Sequence, residues 1–310
     1  LALTITVCLF NINVQGNAQS IINPELCRSY ISVDYETGDV LYSYNADKRI
    51  YPASTTKLMT ALVAVEHCSL DKVFTTSLNA TRYLEEGSTE LELKENETMD
   101  LYSLLHALLI RSYNDVALVI AENVAGTEEA FIEMMNKKAL ELGASNTHFV
   151  TPHGLHDDAH YTTARDMALI AKAAFSNFNI STICRKKEFN LPATNLRQKF
   201  ETLKNTNLIL GTNTGYDFVV TAGKTGYTSK AQNLLVALST DQRGREVLTV
   251  MAGTKERETA AELTLELMKY SYTDFGVQSI VKAGQIIGTH EDIRLANAMY
   301  LEHLVPYDTD

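Results

Sequence analysis

Strand-forming stretches lie at both ends of a long helix-forming middle, and this order constrains the fold more than any other feature of the chain. Tyr30-Ile31-Ser32-Val33 and Val40-Leu41-Tyr42 flank the turn residues Glu36-Thr37-Gly38-Asp39 and read as a β-hairpin. Far downstream, Asp217 to Gly223, Asn233 to Thr240 and Glu246 to Ala252 alternate with short polar turns, which favours an antiparallel meander. Both strand sets must bury apolar faces, and a single sheet joining them under a layer of helices does so. The expected class is α+β, with one antiparallel sheet flanked by helices.

The middle has readable helix ends. Pro52 suits the first turn of a helix running to about His67. Its Leu58, Leu62 and Val65 form one stripe that Met59 and Val63 widen, so this helix is expected to be largely buried. Thr98 is the expected cap of a second helix, with Asp100 at the positive end of its dipole, and that helix stops near Arg111. A third is expected from about Asp115 to Gly126 and a fourth from Thr127 to Gly143. Thr163-Ala164-Arg165-Asp166 reads as a capping box for a helix through Phe175, and Glu258 to Lys269 as a closing helix. Beyond Phe275 the pattern turns β-like again, with Ile280-Val281 and Ile286-Ile287 around Gly284.

A net charge of -11 argues against a nucleic-acid partner, whose phosphates need a basic surface, and against a polybasic membrane patch. Leu1 to Phe10 is apolar, and Gly16-Asn17-Ala18 has the small-x-small pattern of a processing site, so 1–18 reads as a signal peptide lacking its beginning. The apolar run is shorter than the roughly 20 residues a membrane span needs. Export and an extracytoplasmic working place follow as expectations. Cys27, Cys68 and Cys184 would remain, too scattered for a disulfide framework or a zinc pattern, and read as small buried hydrophobes.

Three stretches fit S-x-x-K, beginning at Ser54, Ser69 and Ser279, and context separates them. Ser54 follows Pro52 at a helix start, where backbone N–H groups favour developing negative charge, and Lys57 lies one turn later on the same face. The other two fall in a polar connection and in a strand-like segment. Lysine is a base only when neutral. From a reference pKa of about 10.4, half-neutrality at pH 7 needs a shift of more than about 3 units, roughly 4.6 kcal/mol, which burial beside other cations can supply. Downstream, S-x-N occurs at Ser77-Leu78-Asn79 and at Ser112-Tyr113-Asn114. The second sits at a junction between helices that can project two polar side chains into a cleft. Lys224-Thr225-Gly226 is the one K-T-G in the chain; it ends a strand candidate, and Gly223 and Gly226 leave room for a substrate backbone beside it.

S-x-x-K, S-x-N and K-T-G in this order are shared by class A β-lactamases and penicillin-binding proteins. The wider stretches Tyr51 to Thr60, Leu109 to Asp115, Thr151 to Leu155 and Ala222 to Thr228 resemble the low-molecular-mass penicillin-binding proteins, more narrowly the serine-type D-alanyl-D-alanine carboxypeptidases, over about Asn23 to Tyr270. The resemblance implies a β-lactamase/transpeptidase-like catalytic domain with a helical subdomain over 23–273, and the start of a small β-rich C-terminal domain over 274–310. It implies a Ser54 acyl-enzyme formed on the penultimate D-Ala of a peptidoglycan stem peptide, with Lys57 taking the Ser54 proton. Ser112 would pass a proton to the leaving amine, Asn114 would hold the substrate amide and Lys57, and Lys224 would add positive charge near Ser112. Thr225, in the strand closed by Gly226, and Arg257 would bind the terminal carboxylate, and the N–H groups of Ser54 and Tyr227 would form the oxyanion hole. No metal or cofactor is implied; β-lactams would be covalent inhibitors. Peripheral membrane association is expected only through a C-terminal anchor that this chain does not contain. The middle residue of the second motif is usually small in this family, and Tyr113 stands there; it could narrow the cleft or point away.

Three alternatives remain. A class A-like β-lactamase should carry a deacylating Glu closing a short motif with Leu-Asn; Glu201 with Asn205 is the nearest match, with Lys204 in place of the Leu. His153, His156 and His160 with Asp157 and Asp158 imitate a zinc site. A penicillin-binding sensor or cell-wall scaffold would acylate without turning over.

Overall fold

The computed structural model describes residues 21–82, 84, 88–198, 201–212, 214–279 and 302–306. Strands β1 (Ser29–Asp34) and β2 (Val40–Tyr44) form the expected hairpin, and a 3-10 turn (Ala53–Thr56) leads into α1 (Lys57–His67). The short strands β3 (Val73–Thr75) and β4 (Thr98–Asp100) pair before α2 (Leu101–His106), which widens into a π turn (Ala107–Arg111). Helices α3 (Asn114–Ala125), α4 (Glu128–Glu141), α5 (Ala164–Ser176) and α6 (Phe178–Cys184) follow. After the pair β5 (Glu188–Leu191) and β6 (Glu201–Lys204) come β7 (Phe218–Thr228), β8 (Gln232–Asp241), β9 (Glu246–Thr254) and α7 (Arg257–Thr273). The last described pair is β10 (Phe275–Ser279) with β11 (Glu302–Pro306), antiparallel.

The two strand sets close into one antiparallel sheet of order β2-β1-β9-β8-β7. Alternation along the strands decides which face meets which layer. Ile31 and Val33 of β1, Val236 and Leu238 of β8, and Leu248 and Val250 of β9 join the main core with the central helices. Tyr30 and Met251 point the other way, onto Leu263 and Leu267 of α7. Helix α1 is buried from Lys57 through Ala64, so an apolar helix with a lysine at its first residue runs through the centre of the molecule. Strand β7 is an edge of the sheet; the Gly211 N–H bonds its Val220 carbonyl on the outer side, and its Thr225–Thr228 end borders a cleft that an extended chain can enter.

Several expectations are corrected. Thr98 does not cap α2: it belongs to β4, paired with Thr75, and Asp100 caps instead, its Oδ1 accepting from the Ser103 N–H at 2.7 Å. The capping box at Thr163 is half made. Thr163 Oγ1 accepts from the Asp166 N–H at 3.0 Å, but the Asp166 carboxylate accepts from Asn146 N and Thr147 Oγ1, tying down the preceding loop. Strand β7 does not stop at Gly223. Lys224 to Thr228 pair residue by residue with Val236 to Gln232, so the K-T-G triplet lies inside the strand. The closing helix starts at Arg257 and continues to Thr273. Cys27 and Cys184 are buried as expected, while Cys68 is half-buried; all three are free. The leader expected over 1–18 and the β-like Ile280-Val281 and Ile286-Ile287 lie outside the described residues.

Candidate active site

A cleft of about 630 Å³ opens where the 3-10 turn before α1, the junction of the π turn with α3, and edge strand β7 meet. Ser54 sits in that turn directly after Ala53, whose φ of 48° is left-handed for a residue with a Cβ. Such a conformation costs roughly 1–3 kcal/mol and persists only where the surroundings impose it. Two glycines let neighbouring segments close onto this turn. A Cβ on Gly226 would come within 3.1 Å of the Pro52 carbonyl oxygen and 3.2 Å of the Ser54 nitrogen. One on Gly154 would lie 2.0 Å from the Ala53 carbonyl oxygen.

Lys57 is fully buried. Its Nζ lies 2.6 Å from Asn114 Oδ1, 2.6 Å from the His153 carbonyl oxygen and 3.0 Å from Ser54 Oγ. The first two partners can only accept. A neutral amine has two N–H bonds and one lone pair, so with both N–H bonds spent on these oxygens the lone pair faces the Ser54 hydroxyl. Burial, reinforced by the nearby Lys224 ammonium and opposed by Asp115, holds the Lys57 pKa well below the ordinary lysine range. The arrangement can therefore withdraw a proton from Ser54.

Ser112 caps the π turn in a left-handed conformation, φ 72° and ψ 31°, which turns it into the cleft ahead of α3. The buried Lys224 Nζ donates to Ser112 Oγ at 2.9 Å and to the Thr225 carbonyl at 2.8 Å. Burial pushes its pKa down to about 7. Asn114 donates from Nδ2 to Ser88 Oγ at 2.9 Å, so the loop at Ser88 and Thr89 closes one wall. Asp115, next on α3, accepts from the Leu91 and Leu93 N–H groups and holds that loop down. Thr225 Oγ1 is 2.6 Å from Thr206 Oγ1, and the Arg257 guanidinium donates to the Thr206 carbonyl. Tyr227 stands 63% exposed at the rim. All nine residues singled out in the sequence thus lie in the cleft or directly behind it.

Other sequence matches fall elsewhere. Ser69 lies in the connection after α1, and Ser279 in β10. Ser77 and Asn79 both donate to Glu122 on α3, a tie between surface elements. The histidines face separate partners: His160 joins Thr56 Oγ1 and the Val150 N–H, His153 Nδ1 accepts from the Leu155 N–H, and His156 packs edge-on against Tyr51. Glu201 belongs to β6, paired with Leu191. Tyr113 points away from the cleft into the main apolar core, 5% exposed. Sequence reasoning missed Ser88, Thr89, Thr206 and the His153 carbonyl. The last leaves no side-chain signal, and the others come from loops that only the fold brings near.

The two lysines set a pH dependence. Lys224 favours negative charge only while protonated, so kcat/KM should fall as pH rises through about 7. A bound carboxylate favours the ammonium, so the same limb in kcat should sit higher. Measuring both profiles on one peptide checks the direction; coincident limbs would exclude Lys224 from the carboxylate's field.

The D-alanyl-D-alanine carboxypeptidase profile matches residues 18–255. The chain belongs to the D-alanyl-D-alanine carboxypeptidase family. It is 33% identical over 264 residues to D-alanyl-D-alanine carboxypeptidase DacF of Bacillus subtilis, covering 84% of this chain and 66% of that one. It is 33% identical over 266 residues to DacA of Escherichia coli K12, covering 83% and 63%. Against those two curated relatives it spans somewhat less than two thirds of their length. Among solved structures it resembles penicillin binding protein 6B from Escherichia coli, with a TM-score of 0.77 at 26% identity over 93% of this chain and 87% of that one. Penicillin binding protein 5 from Haemophilus influenzae gives 0.78 at 26% identity, covering 91% and 83%. In this carboxypeptidase-family chain the β-lactamase/transpeptidase-like architecture expected from the motifs is present: an antiparallel sheet, a helical part and a cleft between them. Arg257 lies just past the stretch the family profile matches.

Proposed function

We propose that the chain is an exported serine D-Ala-D-Ala carboxypeptidase that trims the terminal D-Ala from peptidoglycan stem peptides. The observation that carries this reading is the buried Lys57 amine, fixed by two oxygens that only accept, with Ser54 Oγ as its third neighbour. In this mechanism Ser54 Oγ attacks the carbonyl of the penultimate D-Ala while Lys57 takes its proton. The N–H groups of Ser54 and Tyr227 receive the oxyanion, where one donor is worth about 3–4 kcal/mol. The tetrahedral intermediate collapses as Ser112, polarised by Lys224, passes a proton to the leaving D-Ala amine and takes one back from the Lys57 ammonium, which leaves Lys57 neutral again. Water then hydrolyses the acyl-enzyme, with Lys57 as base again. Asn114 orients the substrate amide, and Thr225 and Arg257 take the terminal carboxylate, which sets the exopeptidase register.

β-Lactams would acylate Ser54 by the same route. The catalytic unit spans 23–273; residues 274–310 would begin a β-rich unit, for which the β10–β11 pairing is supporting evidence. Among the described residues no helix is long and apolar enough to cross a membrane. Fluorescent penicillin tests the nucleophile. Ser54→Ala should lose covalent label, whereas Ser69→Ala and Ser279→Ala should keep it; labelling of Ser54→Ala would overturn the assignment.

A further inference from the structure

The protein carries a net charge of -11, yet among the described residues no Asp or Glu lines the cleft, and three exposed cations, Arg111, Lys230 and Arg257, do. Their circumstances differ. Arg257 already donates to the Thr206 carbonyl. Lys230 sits in the turn between β7 and β8, past the end of the strand that carries Thr225. Arg111 ends the π turn beside Ser112, and no described residue engages its guanidinium in a hydrogen bond, ion pair or ring contact. Its five fixed donors are thus without a partner among the described residues.

The backbone around Arg111 says which anion it can meet. The Ile110 carbonyl, one residue before it, accepts from the Thr206 N–H at 3.3 Å, and Thr206 in turn holds the Thr225 hydroxyl. One residue after it stands Ser112. Arg111 therefore rises from the seam between the hydroxyl proposed to serve the leaving amine and the hydroxyl pair proposed to serve the terminal carboxylate. In the leaving D-Ala these two groups hang on one Cα atom, so a cation rooted at this seam is within a side chain's reach of the carboxylate. A guanidinium fork matches a carboxylate at two points, whereas an ammonium offers a point charge.

We propose that Arg111 is a specificity-determining residue that binds the terminal carboxylate of the leaving D-Ala together with Thr225 and Arg257. This rests on the carboxypeptidase reading and deepens it: the site selects a leaving group that is anionic, from two sides. Lys230, out at the strand turn, would then steer without contacting.

The test compares two substrates that yield one acyl-enzyme. Diacetyl-L-Lys-D-Ala-D-Ala has the terminal carboxylate as its sole anionic group, and the methyl thioester of diacetyl-L-Lys-D-Ala leaves as a neutral thiol. Arg111→Gln should lower kcat/KM for the peptide by about 10–100-fold, the loss expected for a charged hydrogen-bonded contact, and change the thioester rate by less than about 3-fold. Arg111→Lys should recover part of the loss, with raised KM. Equal losses on both substrates would overturn the inference in favour of a structural role for Arg111, and no loss on the peptide would overturn it outright. If the wild-type chain turns over the thioester and is acylated at Ser54 but never releases D-alanine, the carboxypeptidase reading itself fails, and this inference with it.

Discussion

Lys57→Gln should slow acylation of Ser54 by penicillin by about 10⁴-fold, with the fold intact. General-base assistance contributes about 10²–10⁴ in rate, and losing one member of a catalytic unit falls at the upper end or beyond. Glutamine, one bond shorter, keeps two N–H donors for a pocket that holds the Asn114 Oδ1 and His153 carbonyl acceptors, while the basic lone pair goes. Lys57→Arg should not rescue, because a guanidinium stays protonated at any working pH and its charge would be buried beside Lys224. Stopped-flow acylation with circular dichroism on the same samples separates chemistry from folding. A loss of under about 10-fold in Lys57→Gln would remove lysine from the base role.

Gly154→Ala should be the most damaging glycine-to-alanine change among the described residues. At φ +86° the residue is in the left-handed region, and its Cβ would meet the Ala53 carbonyl oxygen at 2.0 Å, the Ala53 carbonyl carbon at 2.6 Å and Thr56 Oγ1 at 2.8 Å. Two of these are backbone atoms of the turn that carries Ser54, so the clash cannot be relieved by a rotamer change. Displacing the loop would also move the His153 carbonyl off Lys57. Strain of roughly 1–3 kcal/mol and overpacking of a similar size together suggest a loss of about 3–5 kcal/mol. Gly143→Ala is the control: its φ is +78° with nothing within 4 Å of the added carbon, so it should lose only about 1 kcal/mol. Urea titration of both variants gives the comparison; equal losses would mean that left-handed strain alone, not the packing on Ser54, sets the value.

Much of this site is legible in the sequence. Periodicity located α1 and the strands, and three short motifs named Ser54, Lys57, Ser112, Asn114 and Lys224, because reactive side chains must be of particular types at particular helical or strand spacings. Boundaries were less so. Asp100 won the cap over Thr98 because Thr98 found a strand partner in Thr75, a contact invisible to local propensity. Glycines weaken a strand signal, so local pattern ends the strand before K-T-G, although here Gly226 is what lets β7 run against the Ser54 turn. Thr206 and the His153 carbonyl escaped notice for a different reason. Each acts through a hydrogen bond to a residue distant in sequence, and a backbone oxygen has no letter of its own. Tyr113 was ambiguous until packing turned it into the core.

The claim on which the rest depends is that an uncharged amine at Lys57 activates Ser54. The rate of Ser54 acylation by benzylpenicillin, followed by intact mass from pH 5 to 11, reads that amine directly. The expected profile rises with an apparent pKa far below the lysine value of about 10.4 and loses that limb in Lys57→Gln. A limb near 10.4, or one that persists without Lys57, would contradict it.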